Sequence, residues 1–397
     1  MSTRRAFVLG AVSIASLPAL LLGGCSSSSD SGRGDISVTF IGSTNSPALS
    51  FPEAADGARA AIEAANASGG IAGRHLVLTV CNDHNQPSQA AACAQSAAQA
   101  RSVAVVGGIT VQAASITSVL EQANILYTGQ TGVNPSDLSS PISFPMEAGT
   151  QTVRSLGAEA VAAGCRSTYL ITSNLAPSIS STNVEKAAIL AAGGKVAGET
   201  LTPVPATDYS PAVGSALSSG AQCVTPAVNG GPEIVKLMPV LRHMAPNLKV
   251  IASAPIFPNE VVDALGPLAD GVLVTNSNVL PSSDSKIPGI RSFLSEMKAY
   301  APHANIGSFS LISWLGARVI VDRLKTLHES IDARALLNSF RTDSHVNTYG
   351  IVDNLDFSRP GQVPGFPRLF NTHYVVYSIR HGSFVLLNPS SPWRPIA

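Results

Sequence analysis

ISVTFIGSTNSPALSFPEAADGARAAIEAANASGGIAGRHLVLTV, residues 36–80, decides the fold. Ile36–Ile41 is a short β-branched run that reads as a strand. From Phe51 to Ala67 the pattern becomes helical, with Ala54, Ala58, Ala61, Ile62 and Ala65 on one face. Gly69-Gly70 stops that helix, and Leu76–Val80 is the next strand. The alternation continues with a helix at Ser88–Arg101, a strand at Val103–Val106, a helix at Gln112–Gln122 and a strand at Ile125–Thr128. After Phe144-Pro145 a second series begins with helices at Gly149–Ala163 and Ser181–Ala192 around the strand Thr168–Thr172. It runs on through Lys195–Leu201, Ser210–Ser219, Val224–Val228, Pro232–Ala245, Lys249–Ala252, Asn259–Leu265 and Gly271–Thr275. Strands separated by helices of this length build parallel sheets covered on both faces. The expectation is an α/β protein of two Rossmann-like lobes. Beyond Thr275 the pattern changes to helices at Gly289–Tyr300, Ser308–Leu327 and Asp332–Ser339, then strands within Tyr349–Leu387 broken by a loop at Ser358–Pro367.

Composition narrows the function. The 397 residues carry 25 Lys+Arg and 25 Asp+Glu; charged residues are 13% and hydrophobic residues 45%. A sparse, balanced charge set lacks the basic stripe that nucleic-acid binding needs, and a disordered chain would be poorer in apolar residues. At the N-terminus Arg4 and Arg5 precede an apolar run from Ala6 to Leu22, followed by Gly23-Gly24-Cys25. That is the pattern of an export signal, with a twin-arginine-like start and a lipobox-like end. Residues 1–24 are read as the signal, Cys25 as the lipidated first mature residue and 25–35 as a Ser/Gly-rich tether. A membrane-spanning anchor is the alternative reading of the same run. Four cysteines remain, an even number that suits an oxidising compartment. Pairing Cys81 with Cys93 and Cys165 with Cys223 would staple each lobe separately; a metal site is the alternative.

Enzyme signatures are missing. The chain has no GxSxG, HExxH or GxGxxG, and Gly193-Gly194-Lys195 is not followed by Ser or Thr. Asp83-His84 near Ser88 reads as a polar turn before a helix rather than a triad. No cofactor or metal is expected. What remains is position: in open α/β sheets, ligands bind beyond the carboxyl ends of the strands. The segments there, with Ser43, Asn45, Thr110, Gln112, Gln130, Thr131, Asn174 and Asn229, are rich in hydroxyls, amides and glycine and nearly free of charge. Such groups hold a small ligand by hydrogen bonds but supply no general acid or base.

Ile36–Gly42 with Pro47, Gly57-Ala58 and Ile62–Asn66 resembles the opening of the leucine/isoleucine/valine-binding proteins. Ser68–Arg74 resembles that family's "N-x-x-GGI-x-G" turn. Asn82-Asp83, Gln86-Pro87, Ala90–Ala92, Val105–Gly108, Asn134-Pro135 and Asp208-Tyr209-Ser210 extend the likeness over roughly 36–355. The resemblance implies an exported, monomeric solute receptor that closes two lobes on its ligand and serves the permease and ATPase subunits of an ABC importer. It places lobe I at 36–145 and 277–351 and lobe II at 146–276 and 352–397, with crossings near Phe144–Met146, Thr275–Ser277 and Ile351–Asp356. It also implies ligand contacts from Thr110, Val111 and Gln112, and a grip on a ligand carboxylate from Thr131, Gly132 and Val133, where Val133 replaces the family's Thr.

Two departures bear on the ligand. Amino-acid-binding members have an aromatic residue near 175–178 and, near 254–257, an acid for the α-ammonium. Here Pro177, Pro255 and Phe257 stand in those segments. Phe257 and Phe309 are candidate apolar walls, with core packing the alternative for Phe309. Glu260 is either a displaced acid or, just past Asn259, a helix opener suited to the dipole. A buried ammonium without a carboxylate costs several kcal/mol, so the expectation is a neutral or monoanionic, partly apolar ligand. A sensor feeding a membrane receptor, and a hydrolase on the same scaffold, are the other function classes this fold can serve.

Overall fold

The computed structural model describes residues 34–46, 50–328 and 330–396. The signal segment, Cys25, most of the tether and Pro47 lie outside the described residues. Asp35–Ala397 forms one compact unit.

Its first series is β1 (Ile36–Gly42), α1 (Pro52–Ala67), β2 (Leu76–Asn82), α2 (Pro87–Gln99), β3 (Ala104–Gly107), α3 (Ala113–Ala123), β4 (Leu126–Thr128) and β5 (Ser143–Phe144). The strands pair in parallel in the order β2-β1-β3-β4-β5, with Phe40 opposite Val80 on one side and Val106 on the other. Val38 and Phe40 of β1 and Ala104, Val105 and Val106 of β3 are all buried. Consecutive buried residues in β3 mean that both faces of the sheet are covered, as the near-continuous apolar run requires.

The second series is α4 (Arg154–Ala162), β6 (Ser167–Ser173), α5 (Ala176–Ala191), β7 (Lys195–Thr202), α6 (Ser210–Ser218), β8 (Cys223–Ala227), α7 (Gly231–Met244), β9 (Lys249–Ser253), α8 (Asn259–Leu265) and β10 (Leu273–Asn276). The parallel order β7-β6-β8-β9-β10 repeats that of the first sheet. After α9 (Pro288–Tyr300), α10 (Ser308–Lys325) and α11 (Ala333–Arg341), the chain adds β11 (His373–Arg380), β12 (Ser383–Leu386) and β13 (Arg394–Pro395) to this second sheet, all antiparallel. The two-sheet α/β architecture expected from the sequence is therefore present.

Both disulfides form, which removes the metal alternative for the cysteines. Cys81–Cys93 ties β2 to α2, and Cys165–Cys223 ties the turn after α4 to β8. α9 and α10 pack on α1, and α10 also comes close to the loop after β4. A Cβ on Gly316 of α10 would lie 2.5 Å from the Cα of Gly129. Ser313 Oγ of α10 donates to the Gly107 carbonyl at 3.0 Å, so a late helix buttresses the loops after β3 and β4.

Three local expectations need correction. α5 starts at Ala176 rather than Ser181, because Pro177 occupies the first turn, where its missing N–H is harmless. The segment 349–357 is not a strand: Tyr349 and Gly350 have φ of 55° and 76° and turn the chain, leaving only a bridge between Val346 and Leu355. Residues 357–370, expected with the second lobe, instead pack on the first sheet. Phe357 meets Phe144 of β5 edge-on at 5.1 Å and stacks on Phe340 of α11, and Phe370 meets Phe357 at 4.8 Å. Arg368 stacks 4.2 Å from the Phe144 ring centroid and donates to the Ser143 carbonyl. The chain turns to the second sheet only at Asn371, whose buried amide donates to the carbonyls of Met146 (3.1 Å) and Ser277 (2.8 Å). All three chain segments that pass between the sheets thus meet at one side chain.

Candidate functional site

In each sheet the order reverses beside the first strand, so the loops that follow neighbouring strands part and leave a crevice. On the first sheet these loops are stitched together. Ser43 is buried; its N–H donates to the Ile109 carbonyl (3.0 Å) and its hydroxyl to Asp83 Oδ1 (2.6 Å). The same Asp83 oxygen accepts the Asn85 N–H at 2.8 Å. His84 and Asn85 have φ of 49° and 55°, and this left-handed pair carries Asn85 under the loop after β3. There Val111 N–H donates to Asn85 Oδ1 (3.3 Å), and Gln112 Nε2 donates to the Asn85 carbonyl (3.1 Å). The Val111 carbonyl accepts Asn134 Nδ2 at 2.8 Å, and Gln112 N–H donates to Thr110 Oγ1 at 3.0 Å. The backbone groups of Val111 are therefore already engaged, while its side chain stands 46% exposed. Asn45 is exposed, and its carbonyl accepts Asn82 Nδ2 at 3.0 Å.

The loop after β4 is different. Gln130 is buried, and its Nε2 donates to Ser143 Oγ at 2.6 Å while Oε1 has no partner. Thr131 is buried, and its hydroxyl has no partner among the described residues. Gly132 has φ of 69°, and its carbonyl accepts the Thr150 N–H at 3.1 Å. Among the described residues, the N–H groups of Thr131, Gly132 and half-buried Val133 have no acceptor. Asn134 then closes the loop as a capping residue: its side chain accepts the Ser136 N–H, and its own N–H donates to Asp137 Oδ2, both at 2.9 Å. Burial raises the Asp137 carboxyl to about 7, against the lowering effect of the Asn134 N–H.

The loops of the second sheet are open by comparison. Asn174, Pro177, Asn229 and Pro255 are all exposed. Asn174 N–H donates to the Thr202 carbonyl at 2.7 Å and Asn229 N–H to Ser173 Oγ at 3.0 Å, leaving both side chains outward. Phe257 is 1% exposed and belongs to the hydrophobic core, because the short 3-10 turn Ala254–Ile256 folds it inward. Phe309, the second candidate wall, is half-buried edge-to-face with Phe51 at 4.9 Å. Glu260 lies exposed in the first turn of α8, as a helix opener does. In the Asp208-Tyr209-Ser210 motif, Asp208 Oδ1 accepts the Ser210 N–H (2.8 Å), and Tyr209 donates to buried Glu233 at 2.7 Å. That motif anchors α6 to α7.

Sequence reasoning missed three residues. Asn85 had a weak signal in its all-polar Asn82-Asp83-His84-Asn85 run. Asn371 and Glu147 had none, since each depends on segments remote in the chain. Glu147 follows Met146, one of the carbonyls that Asn371 holds, and is 8% exposed. Burial alone raises its carboxyl to about 8. Among the described residues no three His, Cys, Asp or Glu side chains are grouped to hold a metal ion, and no helix is long and apolar enough to cross a membrane.

Residues 36–364 match the family model described as periplasmic binding protein. The Leu/Ile/Val-binding protein homolog 6 of Brucella melitensis is 26% identical over 274 residues, covering 67% of this chain and 70% of that protein. A structure described as a branched-chain amino acid ABC transporter from Rhodospirillum rubrum shares the fold at a TM-score of 0.72 and 16% identity, over 89% of this chain and 100% of that one. The solute binding protein of an ABC transporter from Rhodopseudomonas palustris HaA2, solved with p-hydroxybenzoic acid, does so at 0.70 and 18%, over 91% and 97%.

Proposed function

The chain belongs to the periplasmic binding protein family, and on that premise we propose that it is the solute receptor of an ABC importer for a small, partly apolar monoanion. It acts outside the cytoplasm, held to the membrane by a lipid on Cys25. It captures its ligand as a monomer by closing two lobes, then presents it to the permease.

One observation carries the ligand class: the loop 131–133 offers a buried hydroxyl and consecutive N–H groups with no acceptor among the described residues. Leaving such donors unpaired inside a protein is costly, so a loop built this way is suited to an anionic group that arrives later. Val111, exposed and tied to the end of that loop by its carbonyl's bond to Asn134, supplies apolar contact. Around the exposed tips of the second sheet nothing charged stands in the segments 173–176, 229–231 or 254–257. The aromatic acid bound by the Rhodopseudomonas palustris neighbour is of the same chemical class. The lobes divide at Phe144–Met146, Thr275–Ser277 and, given the packing of residues 357–370, close to Asn371.

A thermal-shift screen tests this reading. The panel holds branched-chain amino acids, short monocarboxylates, neutral amides and aromatic acids including 4-hydroxybenzoate. Ligand at about 100 times its Kd stabilises the protein by about 2.7 kcal/mol, a readable shift. Monocarboxylates are expected to raise the melting temperature and leucine-like amino acids to leave it unchanged; the opposite order sinks the proposed class. Small-angle scattering with the hit is expected to show a smaller radius of gyration, and an unchanged radius at saturation rules out closure.

A further inference from the structure

Segment 393–396 joins parts of the molecule that belong to different sheets. As β13 it lies antiparallel to β11 of the second sheet, with Arg394 opposite Tyr374, and the Ile396 N–H donates to the Thr372 carbonyl at 2.7 Å. Arg394 forms an ion pair with buried Glu159 of α4, and the Tyr374 hydroxyl donates to the same carboxylate oxygen at 3.2 Å. Those bonds fix the segment to the second lobe. Ile396, however, packs against a small apolar cluster of Leu138, Ala148 and Leu369 that is separate from the main core. Leu138 ends the 3-10 turn Pro135–Leu138 of the first lobe, and its Cδ2 would lie 3.3 Å from a Cβ on Gly132. Its carbonyl accepts the Arg368 N–H at 2.9 Å, and Leu369 belongs to the segment that packs on the first sheet. A side chain anchored in the second lobe therefore rests on a cluster with first-lobe members, next to the loop that holds the free donors.

We propose that segment 393–396 is a strap that holds the lobes apart, with Ile396 against the Leu138–Ala148–Leu369 cluster as the contact that closure must break. This rests on the closing-lobe reading above and adds the element that sets the cost of closing. The described arrangement is the open one, since Asn174, Pro177, Asn229 and Pro255 at the tips of the second sheet are all exposed. Rotation about the three passages displaces Leu138 and Leu369 relative to β13, which its strand bonds and ion pair keep with β11 and α4. Apolar contacts lose much of their attraction once a gap of a fraction of an ångström opens, so packed surfaces switch between discrete arrangements rather than stretch. A contact made only in the open form lowers the fraction of protein competent to close, and apparent affinity falls by that fraction.

The test compares wild type with Ile396→Ala, and with Ile396→Val, which keeps most of the apolar contact. Spin labels on cysteines placed at Asn45 and Asn229, exposed at loop tips of the two sheets, report lobe separation. A Cys25→Ser chain keeps the labelling specific, because the other four cysteines are paired. Without ligand, Ile396→Ala is expected to enlarge the short-distance population and Ile396→Val to resemble wild type; identical distributions for wild type and Ile396→Ala overturn the strap. Affinity for 4-hydroxybenzoate and benzoate is the second readout. Ile396→Ala is expected to bind about three- to tenfold tighter while its urea midpoint falls. A merely structural contact would lower both, and weaker or unchanged binding therefore overturns the strap as well. If a saturating acid leaves the wild-type label distance unchanged, the closing-lobe reading fails and the strap with it. If the acid shortens that distance and Ile396→Ala behaves as wild type, only the strap fails. If neither acid binds, the monoanion reading loses its support, and the ligand-free distances alone decide the strap.

Discussion

The strand-end loops of the first sheet and those of the second face the same task with opposite construction. Those of the first are bonded to one another through Ser43, Asp83, Asn85 and Asn134, and they hold donors in reserve at Thr131–Val133. Those of the second present Asn174, Pro177, Asn229 and Pro255 to solvent with few mutual bonds. A rigid, preformed half lowers the ordering cost of binding, and an open half leaves room for entry before closure. Under the proposed function, the difference would give recognition of the charged group to the first sheet and coverage of the ligand to the second.

The largest expected effects come from the staples, which differ between the halves as the loops do. Cys165–Cys223 spans 58 residues and Cys81–Cys93 spans 12. By loop entropy, replacing the first pair by serine is expected to cost about 4 kcal/mol and the second about 3 kcal/mol in urea unfolding. Equal or reversed losses would break the asymmetry. Next is Asn371→Ala, which leaves two carbonyls of the passing segments unpaired; a loss of about 2–3 kcal/mol is expected, read in the same experiment. A negligible loss would mean the passages do not depend on that side chain.

Binding sharpens the contrast further. Thr131→Val is expected to weaken monoanion binding about tenfold or more with stability unchanged or slightly raised, because it removes a buried hydroxyl that has no partner among the described residues. Asn174→Ala and Asn229→Ala are expected to change affinity by less than about threefold, since their side chains are exposed. Calorimetry on the three variants compares the halves directly, and a larger loss in the second set would invert the assignment.

The smallest expected effect is on pH dependence. Burial raises Asp137 to about 7, and Glu147 and Glu185 to about 8. A carboxyl raised on folding holds its proton longer in the native state than in the unfolded chain. Its contribution is complete below the unfolded value near 4.5 and is lost as pH rises through the folded one. Melting temperature is therefore expected to fall between about pH 5 and 8. Glu185→Gln in the second lobe and Glu147→Gln are each expected to flatten part of that decline. A melting temperature that rises over this range would show that these carboxyls are ionised in the native protein.

The elements whose pattern is local were legible in the sequence. The strands and helices from Ile36 to Asn276 follow apolar periodicity, and Gly69-Gly70 marks the end of α1 by its own backbone chemistry, whereas the start of α5 lies before the Ser181 the pattern suggested. The cysteine pairings were legible because each pair lies within one structural series. The candidate loops were placed by the rule for strand ends, but their chemistry was not. Val111 was implied as a ligand contact, yet Asn85 and Asn134 occupy its backbone groups; Phe257 looked like a wall, yet a 3-10 turn folds it into the core.

By itself, the sequence determined the alternation of strand and helix, the two series, the placing of candidate ligand loops at strand ends and the family likeness, because each is written in periodicity or in short contiguous motifs. Only the tertiary structure decided which donors stay free, that residues 357–370 join the first sheet, that Asn371 gathers three passing segments and that the segment after Glu147 is brought against the Thr131–Val133 loop. Hydrogen-bond satisfaction and burial are properties of groups brought together from distant parts of the chain, and no local pattern encodes them.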